Sequence, residues 1–273
     1  MSSISGVIIA YKNFEQANSL QDRIRGAGLH LTVYDNSHMN ENIHTIWNRW
    51  LENCQADYFM VLNPDTKPEA GWLSELLMVM EHTHPRMAAV GPSTDHCYNE
   101  QANRHPEVVG LARGSWVPQV LIPGFCALYR TEALKQIGGW REDFKFYGGD
   151  LDLVYRLQLA GWMSAWAVGA FVWHEWGGSA RKLGDEAYLE LRRIGNEQLP
   201  AAIQSYQGRP GIWMAKPGGG VSYVEEGAIT SQSQEDAGGG SGERAEALEE
   251  AAGTLRGNSL GETSQKKEGL TDN

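Results

Sequence analysis

The sequence predicts an α/β fold: a mostly parallel central sheet flanked by helices, followed by an unstructured tail. Three observations lead there. Tyr58-Phe59-Met60-Val61-Leu62 is an unbroken apolar run without helical spacing, as a strand buried on both faces requires. Strand-like and helix-like segments alternate from the N-terminus with short connections, the pattern of right-handed crossovers onto one sheet. Beyond about Gly218, Trp and Phe vanish and Gly, Ser and Glu dominate, a composition that cannot offset the entropy of ordering. The expected division is a folded domain over 1–215 and a disordered acidic tail over 216–273.

Val7-Ile8-Ile9-Ala10 forms the first strand. Phe14, Ala17, Leu20 and Ile24 follow at helical spacing, with Gly26 or Gly28 as the stop. Leu29 to Asp35 is a second strand, ending in the polar turn Asp35-Asn36-Ser37. Ile43, Ile46, Trp47, Trp50, Leu51 and Cys54 make an amphipathic helix ahead of the buried strand. Pro68 is expected to open the next helix, with Trp72, Leu73, Leu76, Leu77 and Met80 on one side. Met87 to Gly91 continues the sheet, and from Pro92 to Pro118 no element is predicted. A strand over Val120 to Arg130, interrupted at Pro123-Gly124, leads into a helix from Thr131 to Ile137. A helix from Asp150 to Ala160 stops at Gly161. Apolar stretches at 163–168 and 170–173 and an amphipathic segment at 185–199 complete the domain. In the tail, 237–242 reads as a linker and 243–255 as a lone short helix.

The composition, 41% hydrophobic with ten tryptophans, supplies a substantial core. The net charge is −11, but 216–273 carries 11 acidic and 5 basic residues and so accounts for −6 of it. Neither part has the basic stripe of a nucleic-acid-binding protein. No run approaches the roughly 20 apolar residues of a membrane helix, and Met-Ser-Ser-Ile-Ser lacks the basic start of a secretory signal. Cys54, Cys97 and Cys126 form no metal-ligand pair. The expectation is a cytoplasmic protein with reduced thiols and no transmembrane segment.

Three stretches carry chemistry. Proline cannot donate to a sheet ladder, so the buried strand ends at Asn63-Pro64 and leaves Asp65 at its carboxyl end, where open α/β sheets bind ligands. A carboxylate there can hold a divalent cation beside a phosphate; taken alone, Asn63 to Thr66 is more simply a turn before a helix. In Gly148-Gly149-Asp150-Leu151-Asp152, Asp150 suits an N-cap and Asp152 complements the helix dipole. Asp150 can equally project into a cleft as a general base, and one residue can do both. His174 ends an apolar strand, ordinarily the place of a hydrogen-bonded core residue. Followed by Gly177-Gly178-Ser179, it can instead be a metal ligand beside a phosphate-approaching loop. His82 and His84 read as surface residues.

The ordered set of Ala10-Tyr11, Tyr34-Asp35-Asn36-Ser37, Leu62-Asn63-Pro64-Asp65-Thr66, Pro123-Gly124-Phe125, Gly138-Gly139-Trp140, Phe146-Tyr147-Gly148-Gly149-Asp150 and His174-x-x-Gly177-Gly178-Ser179 resembles the family 2 glycosyltransferases of the GT-A fold, over roughly residues 4 to 200. The resemblance implies a nucleotide-diphosphate-sugar donor and a glycan, lipid-linked glycan or protein acceptor. It implies Ala10, Tyr11, Asp35 and Asn36 at the donor's base and ribose, with Asn48 shaping that pocket. Asp65 matches the last acid of the family's Asp-x-Asp metal motif; the first is Asn63 here, as in the rhamnosyltransferase-like branch. His174 matches a position completing an Mn²⁺ or Mg²⁺ site, Asp150 the catalytic base of an inverting transfer, and Gly124, Phe125 and Asp152 the acceptor side. One departure stands out: Gly149 occupies the place where the family usually has Glu.

Two other readings share the architecture. A sugar-nucleotidyltransferase carries a Gly-rich basic loop after its first strand, which Tyr11-Lys12-Asn13-Phe14 is not. A non-catalytic nucleotide-sugar- or glycan-binding protein accords with Gly149, but Asp65, Asp150 and His174 together favour the enzyme.

Overall fold

A computed structural model describes residues 2–215, except 27, 98, 100, 103, 120, 176–181, 183 and 207–211, together with 221–224. The chain begins with strand β1 (Ile4–Ala10), helix α1 (Phe14–Ile24), β2 (Leu29–Asp35), α2 (Ile43–Glu52) and β3 (Tyr58–Leu62). The hydrophobic spacing sets these elements: α1 buries Ala17, Leu20 and Ile24, and α2 buries His44, Ile46, Trp47 and Leu51. Asn42 caps α2 by accepting the His44 N–H. Every residue of β3 is buried, and it stops where Asn63-Pro64 begins.

The next element departs from expectation. Thr66–Pro68 forms a short strand, β4, and helix α3 (Trp72–His82) starts only after Gly71. Pro68 sits in an edge strand, where a residue without an N–H is tolerated. After β5 (Met87–Ser93), the unassigned stretch contains a short helix α4 (Pro106–Val109) and strand β6 (Trp116–Pro118). The strand expected from Val120 begins only at β7 (Cys126–Arg130), while Leu121 and Ile122 are buried in a loop. Helix α5 (Thr131–Gln136) follows. Helix α6 (Gly149–Leu159) is capped by Gly148, so Asp150 lies in its first turn and not at the N-cap. The two apolar stretches beyond it merge into one long strand, β8 (Met163–His174). Helix α7 (Asp185–Ser205) runs past Leu199 and buries Leu199 and Ala202 against Phe144 and Leu151. Strands β9 (Ile212–Ala215) and β10 (Val221–Val224) pair antiparallel, so strand pairing is present on both sides of the boundary expected at 215/216. The rest of the tail lies outside the described residues, as do Gly177-Gly178-Ser179.

The main sheet has the order β2-β1-β3-β7-β5-β8-β4, with β6 paired to β8. β1 is parallel to β2 and β3, and β5 to β8. β7 runs antiparallel to both β3 and β5, so β5 and β8 share the direction of β1, β2 and β3. Only β4, β6 and β7 run the other way, which makes the sheet mostly parallel. Alternation along β3 feeds two cores: Tyr58, Met60 and Leu62 face α1 and α3, while Phe59 and Val61 face α2, α5 and α6. Cys54, Cys97 and Cys126 are free thiols buried at separate positions. No described helix is long and apolar enough to cross a membrane.

Candidate active site

β3 delivers Asp65 to the carboxyl edge of the sheet, and β8 delivers His174 opposite it. The pairing of β4 with β8 puts Thr66 in register with His174. Within this frame Asp65 Oδ1 lies 3.9 Å from His174 Nε2, with the carboxylate almost wholly buried. The Glu175 N–H donates to the Asp65 carbonyl at 3.0 Å and fixes the two chains to each other.

His174 is held on three sides. Its backbone N–H donates to Asp95 Oδ1 at 2.9 Å, and its Nδ1 lies 3.0 Å from the His96 carbonyl oxygen. A carbonyl only accepts, so in the neutral ring Nδ1 carries the proton and Nε2 turns its lone pair towards Asp65. Phe125 stacks on the ring at 4.4 Å between centroids, the planes 11° apart. Burial alone would raise the Asp95 carboxyl; the bonds from the His174 N–H and the His96 side chain outweigh it and hold Asp95 below the ordinary carboxylate value.

The donor set suits a hard divalent cation. Two ligands about 2.1 Å from one ion lie about 3 to 4.2 Å apart, which brackets the 3.9 Å separation. Among the described residues no group of three or more His, Cys, Asp or Glu could hold a metal. Asp65 and His174 would supply two ligands to such an ion, as in Mg²⁺-type sites that rely on few protein groups. A cleft of about 720 Å³ opens beside this pair, lined by Asp65, His174 and Glu175 and by Gln16, Ser19 and Arg23 of α1.

Gly124 and Phe125 join this pair to Asp150. The Asn63 N–H donates to the Phe125 carbonyl at 2.7 Å, and the Gly124 N–H donates to Asp150 Oδ2 at 3.1 Å. Consecutive residues of one loop thus hold the exit of β3, the His174 ring and the Asp150 carboxylate. Asp150 does not line the α1-side cleft, and neither do Ala10, Tyr11, Asp35 or Asn36.

The residues expected at the donor's base gather at the neighbouring strand ends. Ala10 and Asp35 are register partners, and the Asn36 N–H donates to the Ala10 carbonyl. The Ser37 hydroxyl and N–H hold the Asp35 carboxyl below its ordinary value, and the same hydroxyl accepts the Lys12 N–H. Tyr11 donates its N–H to Asn13 Oδ1. Asn36 is buried and spends its amide on both backbone groups of Glu41. Asn48 likewise binds the Trp140 backbone on both sides and the Glu142 carboxylate. These two asparagines brace loops.

Asp152 does not join the acceptor side. Its side chain is fully buried, 2.8 Å from Arg156 Nε, and also accepts from the Tyr206 hydroxyl. Residues two apart on a helix point to different sides, so Asp150 and Asp152 cannot share a cleft. Asp95 and His96 escaped the sequence reading although their signal resembled that of Asp65: an acid just past the carboxyl end of an apolar strand.

No family model matches the chain. The chain is 29% identical over 144 residues to the N-acetylglucosaminyl-diphospho-decaprenol L-rhamnosyltransferase of Mycobacterium tuberculosis, in strains CDC 1551 / Oshkosh and ATCC 25618 / H37Rv, covering 43% of this chain and 47% of the relatives. It therefore spans about half the length of the curated relatives it matches. Among solved structures it is similar to a mannosyltransferase from Pyrobaculum calidifontis in complex with GDP-Man and Mn²⁺, at 13% identity and a TM-score of 0.49, covering 74% of this chain and 73% of that one. It is also similar to glucosyl-3-phosphoglycerate synthase from Mycobacterium tuberculosis, at 14% identity and a TM-score of 0.47, covering 78% and 84%. At such scores neither likeness bears on what this chain does. The resemblance to family 2 glycosyltransferases rests on the motifs and on the curated relatives.

Proposed function

We propose that this chain is a metal-dependent glycosyltransferase of the GT-A type, moving a sugar with inversion from a nucleoside-diphosphate sugar to an acceptor hydroxyl. The observation that carries this reading is the linkage of Asp65 and His174 to Asp150 through the consecutive residues Gly124 and Phe125. Asp65 and His174 would hold Mn²⁺ or Mg²⁺, which when bound would supply positive charge to the diphosphate leaving group. Asp150 takes the proton of the acceptor hydroxyl as that oxygen attacks the anomeric carbon. The Gly124 N–H on Oδ2 orients the carboxylate for this transfer. Tyr11 and Asp35, on neighbouring strand ends, flank the nucleoside. The relatives' name makes a diphospho-polyprenol-linked sugar the first acceptor to try and L-rhamnose the first sugar.

Calorimetry with a panel of nucleoside diphosphates and Mn²⁺, on the wild type and on Asp65→Ala, tests the reading. Metal-dependent binding of one nucleoside diphosphate, lost in the variant, supports it and identifies the donor's base. Absence of binding to any member by folded protein overturns it. Pyrophosphate release in place of nucleoside diphosphate release would point to a nucleotidyltransferase.

A further inference from the structure

Gly149 poses a question that its backbone does not answer. Gly148 has φ +89° and needs to be glycine, but Gly149 is not among the left-handed residues. What excludes a side chain at 149 is the ring of His44. A Cβ added there would lie 2.5 Å from Cε1 and closer still to Nε2, distances that real Cβ atoms do not show. His44 is 1% exposed, in the first turn of α2, and packs beside Trp47. Its Nδ1 lies 2.9 Å from the Phe144 carbonyl, so in the neutral ring Nδ1–H is the donor and Nε2 faces the start of α6. Asn42 binds the same loop, donating to the Glu142 and Phe144 carbonyls. The start of α2 therefore clamps the segment that leads into Asp150.

We propose that His44 is the positioning residue for Asp150: its imidazole fills the side-chain space at 149 and sets the turn that brings the Asp150 carboxylate to the Gly124 N–H. The proposal rests on the reading of Asp150 as the base. Bulk beside the base comes from α2 and not from the residue preceding Asp150, and His44 and Gly149 form a reciprocal pair in which only one can carry a side chain. Displacing the turn by about 1 Å is enough to cost about 10²-fold in turnover.

The experiment measures nucleoside diphosphate release with Mn²⁺ from whichever of dTDP-rhamnose, GDP-mannose, UDP-glucose or UDP-N-acetylglucosamine binds. Wild type, Gly149→Ala, the double variant Gly149→Ala with His44→Ala, His44→Gln and Asp150→Asn are compared. Expected is a fall in kcat of about 10²-fold for Gly149→Ala with KM for the donor unchanged, a fall of the same order in the double variant, which also lacks the imidazole, and retention in His44→Gln, whose amide can still donate to Phe144. Full activity of Gly149→Ala or of the double variant overturns the proposal. Turnover surviving in Asp150→Asn overturns the base assignment instead, so the two failures differ. Crystal structures of His44→Ala and His44→Gln give a reading that needs neither turnover nor a stable Gly149 variant. The 3.1 Å contact between Gly124 N and Asp150 Oδ2 should open in the first and persist in the second; an unchanged contact in His44→Ala refutes the proposal.

Discussion

The Phe125 ring lies flat on the His174 imidazole, centroids 4.4 Å apart and planes 11° from parallel. Phe125 was expected on the acceptor side; its contacts make it a support for the proposed metal ligand. Such a stack contributes about 0.5–1.5 kcal/mol beyond area burial. Phe125→Leu keeps most of the apolar volume but removes the flat partner. The expected outcome is a roughly two- to twelvefold weaker Mn²⁺-dependent nucleotide affinity by calorimetry, with the fold intact. Equal affinities would mean that the stack does not hold His174 in place.

Asp95 holds the backbone of the same residue, accepting the His174 N–H. Partners that orient a metal ligand typically matter by 10- to 100-fold in affinity. Asp95→Ala should weaken Mn²⁺ binding by about that factor, measured as free Mn²⁺ by electron paramagnetic resonance. Asp95→Asn retains an acceptor oxygen and should recover most of the loss. If Asn behaves like Ala, the carboxylate charge matters and not the hydrogen bond.

Where sequence reasoning succeeded, the signal was local. A buried apolar run ended by Pro64 fixes both β3 and the place of Asp65, and α2 follows from its spacing. It failed where distant partners decide. Pro68 carries a helix-start signal, yet 66–68 pairs with β8, more than a hundred residues away. Asp95 lies in a stretch without periodicity, its loop held by backbone bonds between Thr94 and Gln101 and between Arg104 and Thr94. His44 looks like any core-facing helix position; only its contact with Phe144, a hundred residues on, gives it a role. The i,i+4 spacing of Asp152 and Arg156 on α6 already suggests their pairing.

Asp152 should therefore behave as a structural residue. It is the buried partner of Arg156, which also donates to the Ile137 and Gly139 carbonyls. Removing one member of a buried pair strands the other, at about 3–5 kcal/mol. For a domain of this size, Asp152→Ala is expected to lower Tm by about 10 °C while leaving nucleotide affinity unchanged. An unchanged Tm with a raised KM for the acceptor would return Asp152 to the acceptor site.

Acid should destabilise the protein before its carboxylates titrate. Burial pushes His44 below the ordinary histidine value, more than offsetting the Phe144 carbonyl and the nearby Asp150, Asp152 and Glu142 carboxylates, which favour its charged form. His84 is also lowered, by burial and by Arg86. Between the folded value and about 6.5, the unfolded chain binds a proton that the folded chain does not. Stability is therefore complete above about pH 7 and declines as the pH falls towards 5. The carboxyls held low, among them Asp95, Asp57 and Glu142, lose their contribution only below about pH 4 to 5, so the upper window belongs to the histidines. Urea unfolding of wild type and His44→Gln at pH 7.5, 6.5 and 5.5 checks this. The variant should show a shallower decline, the remaining slope coming from His84; parallel curves would mean that His44 is not buried neutral.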